Sequence, residues 1–282
     1  MSATSTMSES LDIGLLGQGI IGSRVAENLR KAGHCVHVWS RTGRAGGLPS
    51  PRVVAQKAEI LQIFTRDSEA LLAALNDARP ALTARHVVMN HATVSKAATL
   101  EAARICAEAG AAFLDAPFTG SKMAAQNAKL VYYIGGDEAV LERARPVLEL
   151  SSAKILPVGK IGDAMVLKIV TNLVTAVIVK ALAEAAAITQ AQGVPLEALR
   201  TALEANANYS ALIGMKLPAL MSGDFEPHFS LVNMLKDVDF ARALAAESGL
   251  PVPAVDCAAE AMRAGVAEGL GEQDFSIMGR LP

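Results

Sequence analysis

The chain has 282 residues, 51% of them hydrophobic and 19% charged, which is enough apolar material for two domains and too little polar bias for disorder. A net charge of −2 lacks the basic surplus that favours nucleic acid or an anionic membrane, so the expected partner is a small-molecule substrate, with no nucleic acid and no membrane. Three widely spaced cysteines, Cys35, Cys106 and Cys257, suit free thiols and a cytoplasmic location better than a disulfide framework or a zinc site. The opening MSATSTMSES has neither the basic start nor the apolar run of a signal peptide and reads as a loose tail.

From Asp12 the pattern is strand, helix, strand: LDIGLLG, a helix over 19–32, then CVHVWS. Short apolar runs and helical stretches continue to alternate at 60–65, 68–75, 86–90, 95–109, 112–115 and 130–134, which predicts a mostly parallel sheet with helices on both faces. After Pro157 the strand signals stop. A helix from 161 to 192 ends at Gly193 and Pro195, and further helices are predicted over 196–207, 215–221, 232–248 and 253–268. The stretch from Ala164 to Ile188 approaches membrane-span length, but Lys168, Lys180 and Glu184 interrupt it, which favours a buried helix. The expected fold is α/β: an N-terminal Rossmann dinucleotide-binding domain over 11–160, then an all-α C-terminal domain over 161–282 for substrate and oligomerisation, joined by the long interdomain helix.

Gly17, Gly19 and Gly22 stand in G-x-G-x-x-G spacing directly after a strand and directly before a helix. The first permits the tight turn, the second lets the backbone approach a pyrophosphate, and the third lets the helix pack on the strand. The helix start, with Ile20 and Ile21, then faces the phosphate charge. An NAD enzyme usually carries Asp or Glu at the end of the second strand. Here that place reads Ser40-Arg41-Thr42; Arg41 can pair with a 2′-phosphate and the hydroxyls can donate to it, so NADP (NADPH) is the expected cofactor. Arg44 is either a second phosphate contact or a solvated surface charge.

Beyond the fingerprint, three blocks carry a family likeness: FLDAPFTGS at 113–121, GKIGDAMVLKIVTN at 159–172 and LKDVDFARALA at 235–245. With them the chain resembles β-hydroxyacid dehydrogenases, the group that includes 3-hydroxyisobutyrate dehydrogenase, tartronate semialdehyde reductase and glyoxylate/succinic semialdehyde reductase. The resemblance implies that Lys168 and Asn172, which share one helix face by their i,i+4 spacing, carry the chemistry. A lysine there stabilises the charge left on a carbonyl oxygen by hydride and supplies its proton, while the asparagine holds substrate or lysine in place. Outside the resemblance, Lys168 reads equally well as a snorkelling side chain and Asn172 as a satisfied polar group in a helix interface.

The resemblance also implies that Thr119 and Gly120 grip a substrate carboxylate, with threonine where relatives have serine, and Ser121-Lys122 leans towards the glyoxylate/succinic semialdehyde branch. Thr93 survives from a segment otherwise altered at Asn90, Ala92 and Lys96, and is implied to contact the cofactor near its nicotinamide. Thr65 and Arg66 occupy the loop that presents backbone to the cofactor, Arg66 reading equally as an exposed charge. Lys236 is implied to reach the cofactor region; by itself Lys236-Asp237 is a solvated pair. The five histidines lack metal-ligand spacing and no Asp or Glu is seen to cluster with them, so no metal is expected.

The expected reaction is NADPH-dependent reduction of a small carboxylate-bearing aldehyde or 2-oxo acid, with Lys168 as general acid, in a homodimer or homotetramer. The alternatives are an NAD(P)-dependent 3-hydroxyisobutyrate-type dehydrogenase, an imine reductase, which retention of Lys168 disfavours, and a non-catalytic cofactor-binding or oligomerisation module.

Overall fold

The computed structural model describes residues 10–43 and 46–280, so the roles read for the tail up to residue 9 and for Arg44 lie outside the described residues. The chain divides into two compact units, one ending at Lys168 and the other beginning at Ile169.

In the first unit, β1 (Asp12–Leu16), α1 (Ile20–Lys31), β2 (Cys35–Trp39), α2 (Pro51–Lys57), β3 (Ile60–Ile63), α3 (Ser68–Ala78), β4 (Val87–Asn90), α4 (Lys96–Glu108) and β5 (Ala112–Asp115) follow in alternation. Then come β6 (Phe118–Thr119), α5 (Lys122–Gln126), β7 (Leu130–Gly135), α6 (Glu138–Glu149) and β8 (Ser152–Gly159). The strand order is β2-β1-β3-β4-β5-β7-β6, with β8 on β7. Strands β1 to β5 pair in parallel, while β5 and β6 run antiparallel to β7. Parallel strands covered on both faces read as near-continuous apolar runs, and β4 is buried at every residue, Asn90 included. Ile13 and Leu15 cluster with Val25, Ala26 and Leu29 of α1. Gly14, pointing the other way, is closed over by Val54 of α2, so helices cover both faces. Serine and aspartate start the helices: Ser50, Asp67, Ser95, Ser121 and Asp137 each accept a backbone N–H from the first turn.

The sequence reading omits α2, β6, α5, α6 and β8. The last is a half-exposed edge strand holding Lys154 and Pro157, and an edge is where proline is tolerated in a sheet. Its side chains therefore lack the continuous apolar run that marks the inner strands.

The long helix α7 (Asp163–Ala191) crosses the division between the units. By length and composition it is long and apolar enough to span a membrane, and 33% of its most apolar 18 residues are buried. Ala176 and Val179 enter the second core, whereas Val170, Val174 and Ile188 are exposed. The remaining elements are helical: α8 (Leu196–Glu204), α9 (Ala211–Ser222), α10 (Leu231–Glu247), α11 (Pro253–Ala267) and a closing 3-10 turn over Phe275–Arg280. Their core is built on Leu231, Met234, Val238, Ala258, Met262 and Phe275.

Candidate active site

The order β2-β1-β3 places the chain reversal of the sheet at the carboxyl end of β1, where open α/β sheets bind their ligands. There Gly17 has φ +113° and donates its N–H to Trp39 O at 2.8 Å. A Cβ on Gly17 would lie 2.2 Å from Phe64 O, and one on Gly22 would lie 2.2 Å from Gly17 O. A Cβ on Gly19 would meet nothing within 4 Å, so that glycine faces open space where a ligand can approach. Helix α1 starts at Gly19 without a side-chain cap and without an acid in its first turn. Its first N–H groups, at Ile20, Ile21 and Gly22, therefore face that space as an anion site. Gln18 Nε2 and Thr65 Oγ1 are buried at the same turn and the β3 loop without protein partners. These features fit a dinucleotide pyrophosphate.

At the end of β2, Trp39, Ser40, Arg41, Leu48 and Pro49 line an open cleft of about 260 Å³. A turn closed by Gly43 N–H on Ser40 O presents Arg41 and Thr42 to solvent, and no carboxylate lines the cleft among the described residues. In the β3 loop Arg66 is exposed and paired with Asp67 at 3.0 Å, and Asp67 in turn caps α3.

The β4 loop is fixed by Asn90, which donates Nδ2 to Ala92 O and accepts Ala92 N–H, holding the chain just before Thr93. His91 is fully buried, stacks on Phe64 at 4.6 Å and donates from Nδ1 to Ala116 O at 2.7 Å. Burial drives its pKa down to about 4, against the hydrogen bond to Ala116, so it is neutral near pH 7. This bond ties β4 to the segment leading into Thr119, which pairs with Val131 of β7. Gly120 has φ +138°, and a Cβ there would meet Leu130 Cδ2 at 2.9 Å and Ala124 Cβ at 3.0 Å. Its glycine is thus required by the backbone itself.

Asp115 stands at the end of β5, inside the FLDAPFTGS block. Its Oδ2 accepts the N–H groups of Gly162 at 3.1 Å and Met165 at 2.8 Å, anchoring the start of α7, while Oδ1 is buried without a partner. Burial raises its pKa to about 7 against those two hydrogen bonds. A proton held in the folded state and not in the unfolded state stabilises the fold below the unfolded value of 3.8, and that contribution is lost as pH rises through about 7. Wild type therefore loses a few degrees of Tm relative to Asp115→Asn between about pH 5 and about pH 8. Parallel Tm curves against pH would refute this assignment.

On α7, Lys168 and Asn172 stand one turn apart on one face. In the second unit Asn172 Nδ2 donates to Asp237 Oδ2 at 2.6 Å, and Lys236 Nζ donates to Asp237 Oδ1 at 2.7 Å. Asp237 is 1% exposed, so Lys236-Asp237 is not a solvated pair: a buried carboxylate is held by a cation on one side and an amide on the other. Lys236 Nζ also lies 5.0 Å from the Phe240 ring centroid. Nothing local in the sequence marks this role for Asp237, whose partner Asn172 lies 65 residues away.

One expected absence needs correction. Asp12 does cluster with a histidine: its Oδ1 is 2.6 Å from His37 Nε2, with Cys35 alongside. Parallel pairing brings together residues that lie 25 apart in sequence, a closeness that linear spacing does not show.

Residues 12–159 match the family described as the NAD binding domain of 6-phosphogluconate dehydrogenase, and residues 162–281 match the NAD-binding family of NADP-dependent 3-hydroxyisobutyrate dehydrogenase. The chain is 27% identical over 281 residues to glyoxylate/succinic semialdehyde reductase 2 of Arabidopsis thaliana, a chloroplastic protein, covering 95% of this chain and 78% of that one. It is 28% identical over 279 residues to 2-hydroxy-3-oxopropionate reductase of Escherichia coli, covering 95% and 96% of the two. The structure of Mycobacterium tuberculosis 3-hydroxyisobutyrate dehydrogenase with L-serine superposes with a TM-score of 0.88 at 27% identity, over 96% of this chain and 99% of the other. With the glycine turn, the reversal of the sheet and both halves of the sequence in agreement, the chain belongs to the β-hydroxyacid dehydrogenase family of NAD(P)-dependent oxidoreductases acting on CH–OH groups.

Proposed function

We propose that the protein reduces a small carboxylate-bearing aldehyde or 2-oxo acid, of the glyoxylate or semialdehyde type, to the hydroxyacid with NADPH. The observation that carries the chemistry is Lys168 one helical turn before Asn172, whose amide is oriented by the buried Asp237. NADPH, when bound, supplies the hydride. Lys168, as an ammonium, stabilises the negative charge growing on the carbonyl oxygen and donates the proton that completes the alcohol. Asn172, held by its Nδ2 on Asp237, keeps lysine or substrate in register. The Thr119 hydroxyl and the backbone at Gly120 bind the substrate carboxylate, which sets the distance from carboxylate to carbonyl.

Preference for NADPH is supported by the end of β2, where Ser40, Arg41 and Thr42 replace the carboxylate that would hold ribose hydroxyls. Arg41 pairs with the 2′-phosphate in this reading, and Thr65, Arg66, Thr93 and Lys236 complete the cofactor contacts. A panel of semialdehydes and 2-oxo acids assayed with both cofactors tests it. NADPH should give at least about tenfold higher kcat/KM than NADH, and Arg41→Ala should remove about that factor through KM for NADPH alone. Better turnover with NADH, or faster oxidation of 3-hydroxyisobutyrate than reduction of any panel member, overturns the assignment.

The exposed apolar residues of α7, Leu167, Val170, Val174 and Ile188, support a homodimer or homotetramer in which a second copy covers this helix. Sedimentation as a monomer at micromolar concentration would contradict that.

A further inference from the structure

The amino ends of β1 and β2 lie opposite the glycine turn. Two five-residue strands place them about 16 Å from it. Parallel pairing sets Asp12 beside Cys35 and Gly14 beside His37, and residues two apart on a strand share a face. A carboxylate, a thiol and an imidazole therefore converge, with no side chain at Gly14 to separate them. Cys35 Sγ lies 3.7 Å from His37 Nε2, His37 Nε2 lies 2.6 Å from Asp12 Oδ1, and the three ligand atoms all fall within 4.8 Å of one another. His34, the neighbouring histidine, accepts the Leu11 N–H with its Nδ1 and is not part of the set.

A tetrahedral ion with metal–sulfur near 2.3 Å and metal–nitrogen near 2.0–2.1 Å separates those two ligands by about 3.5 Å, so the cysteine and histidine already stand at coordinating distance. The carboxylate must retreat by about 0.7 Å from the imidazole to reach its own vertex, a movement open to a side chain that is 56% exposed. We propose that Asp12, Cys35 and His37 form a surface binding site for a borderline-soft divalent metal of the zinc class, with water as the fourth ligand.

The donor set gives the class: one sulfur, one nitrogen and one oxygen suit zinc or cobalt and disfavour calcium and magnesium, which take oxygen. Binding expels the thiol proton to solvent and moves the proton that His37 Nε2 shares with Asp12 to Nδ1 through solvent, so that Nε2 and the carboxylate each become a ligand. Asp12 holds the thiol pKa up, while Lys57 and Arg30 act in the opposite sense and favour the thiolate. The site joins the edge strand β2 to β1, away from the residues assigned to catalysis.

The test is titration of the full, reduced, chelator-washed chain with cobalt(II), following thiolate-to-cobalt charge-transfer absorption. One equivalent per chain is expected. The band should vanish in Cys35→Ser, persist in Cys257→Ser, and require at least about tenfold more cobalt in His37→Ala or Asp12→Asn. All four positions lie on the surface or near it, and turnover by the variants reports that they are folded. Absence of the band in wild type overturns the proposal, as does a band that survives Cys35→Ser.

Discussion

Alanine at position 168 should lower kcat/KM for carbonyl reduction by about 10²–10⁴-fold, the range contributed by a positioned general acid. That loss corresponds to about 3–5 kcal/mol of transition-state stabilisation. It should fall on kcat, since the proton and the charge it neutralises matter only once hydride is moving. KM for NADPH should hold, because the glycine turn and Arg41 lie elsewhere in the first unit. Lys168→Arg separates the two contributions of the lysine: guanidinium keeps the charge but gives up its proton poorly, so only partial recovery is expected. Steady-state rates equal in wild type and Lys168→Ala would sink the mechanism and return the chain to the class of non-catalytic binding modules. Asp237→Asn should act more mildly, lowering kcat through Asn172 and raising KM for NADPH through Lys236, which Asp237 also holds.

Lys216→Met should cost the second unit about 3–5 kcal/mol, or about 6–20 °C in Tm, because it leaves a buried carboxylate without its cation. Lys216 and Asp274 side chains are 4% and 3% exposed, with Nζ 2.7 and 2.9 Å from the two carboxylate oxygens. Asp274 also accepts the N–H groups of His228, Phe229 and Ser276 and the Ser276 hydroxyl, so it joins α9 to the loop before α10 and to the closing 3-10 turn. Burial alone would raise its pKa, but the hydrogen bond and charge of Lys216, with help from Ser276, hold it below the usual 3.8. A depressed folded value means that its contribution is present above 3.8 and is lost as pH falls through the folded value. Acid should therefore narrow the gap between wild type and Lys216→Met. A double replacement by well-packed apolar residues should cost less than either single change. Thermal unfolding followed by circular dichroism reads all of these, and an unchanged Tm for Lys216→Met would contradict them.

These two lysines illustrate what a sequence can carry. Lys168 stands out because it lies in an ordered block beside Asn172, and the glycine turn because strand, turn and helix are contiguous. Both signals are local. Lys216 and Asp274 lie 58 residues apart, and nothing in their neighbourhoods marks either as buried. Asp115 meets Gly162 and Met165 across 47 and 50 residues, and Asp237 meets Asn172 across 65, so their roles emerge only when distant segments are packed. The same limit hid the Asp12–His37 contact. For β8 the obstacle differs: an edge strand is half solvated, and its Lys154 and Pro157 break the short apolar run by which the inner strands are read.

The anchoring of α7 on Asp115 makes the sheet a reference for helical phase. Lys168 follows the anchored Met165 by three residues, less than one turn, so its azimuth is counted from a fixed point on β5. One residue inserted between them would rotate Lys168 by about 100°, on an otherwise intact helix, and carry the ammonium onto a different face. The short count between carboxylate and lysine is thus a gauge length of this chain, tolerant of substitution and intolerant of insertion.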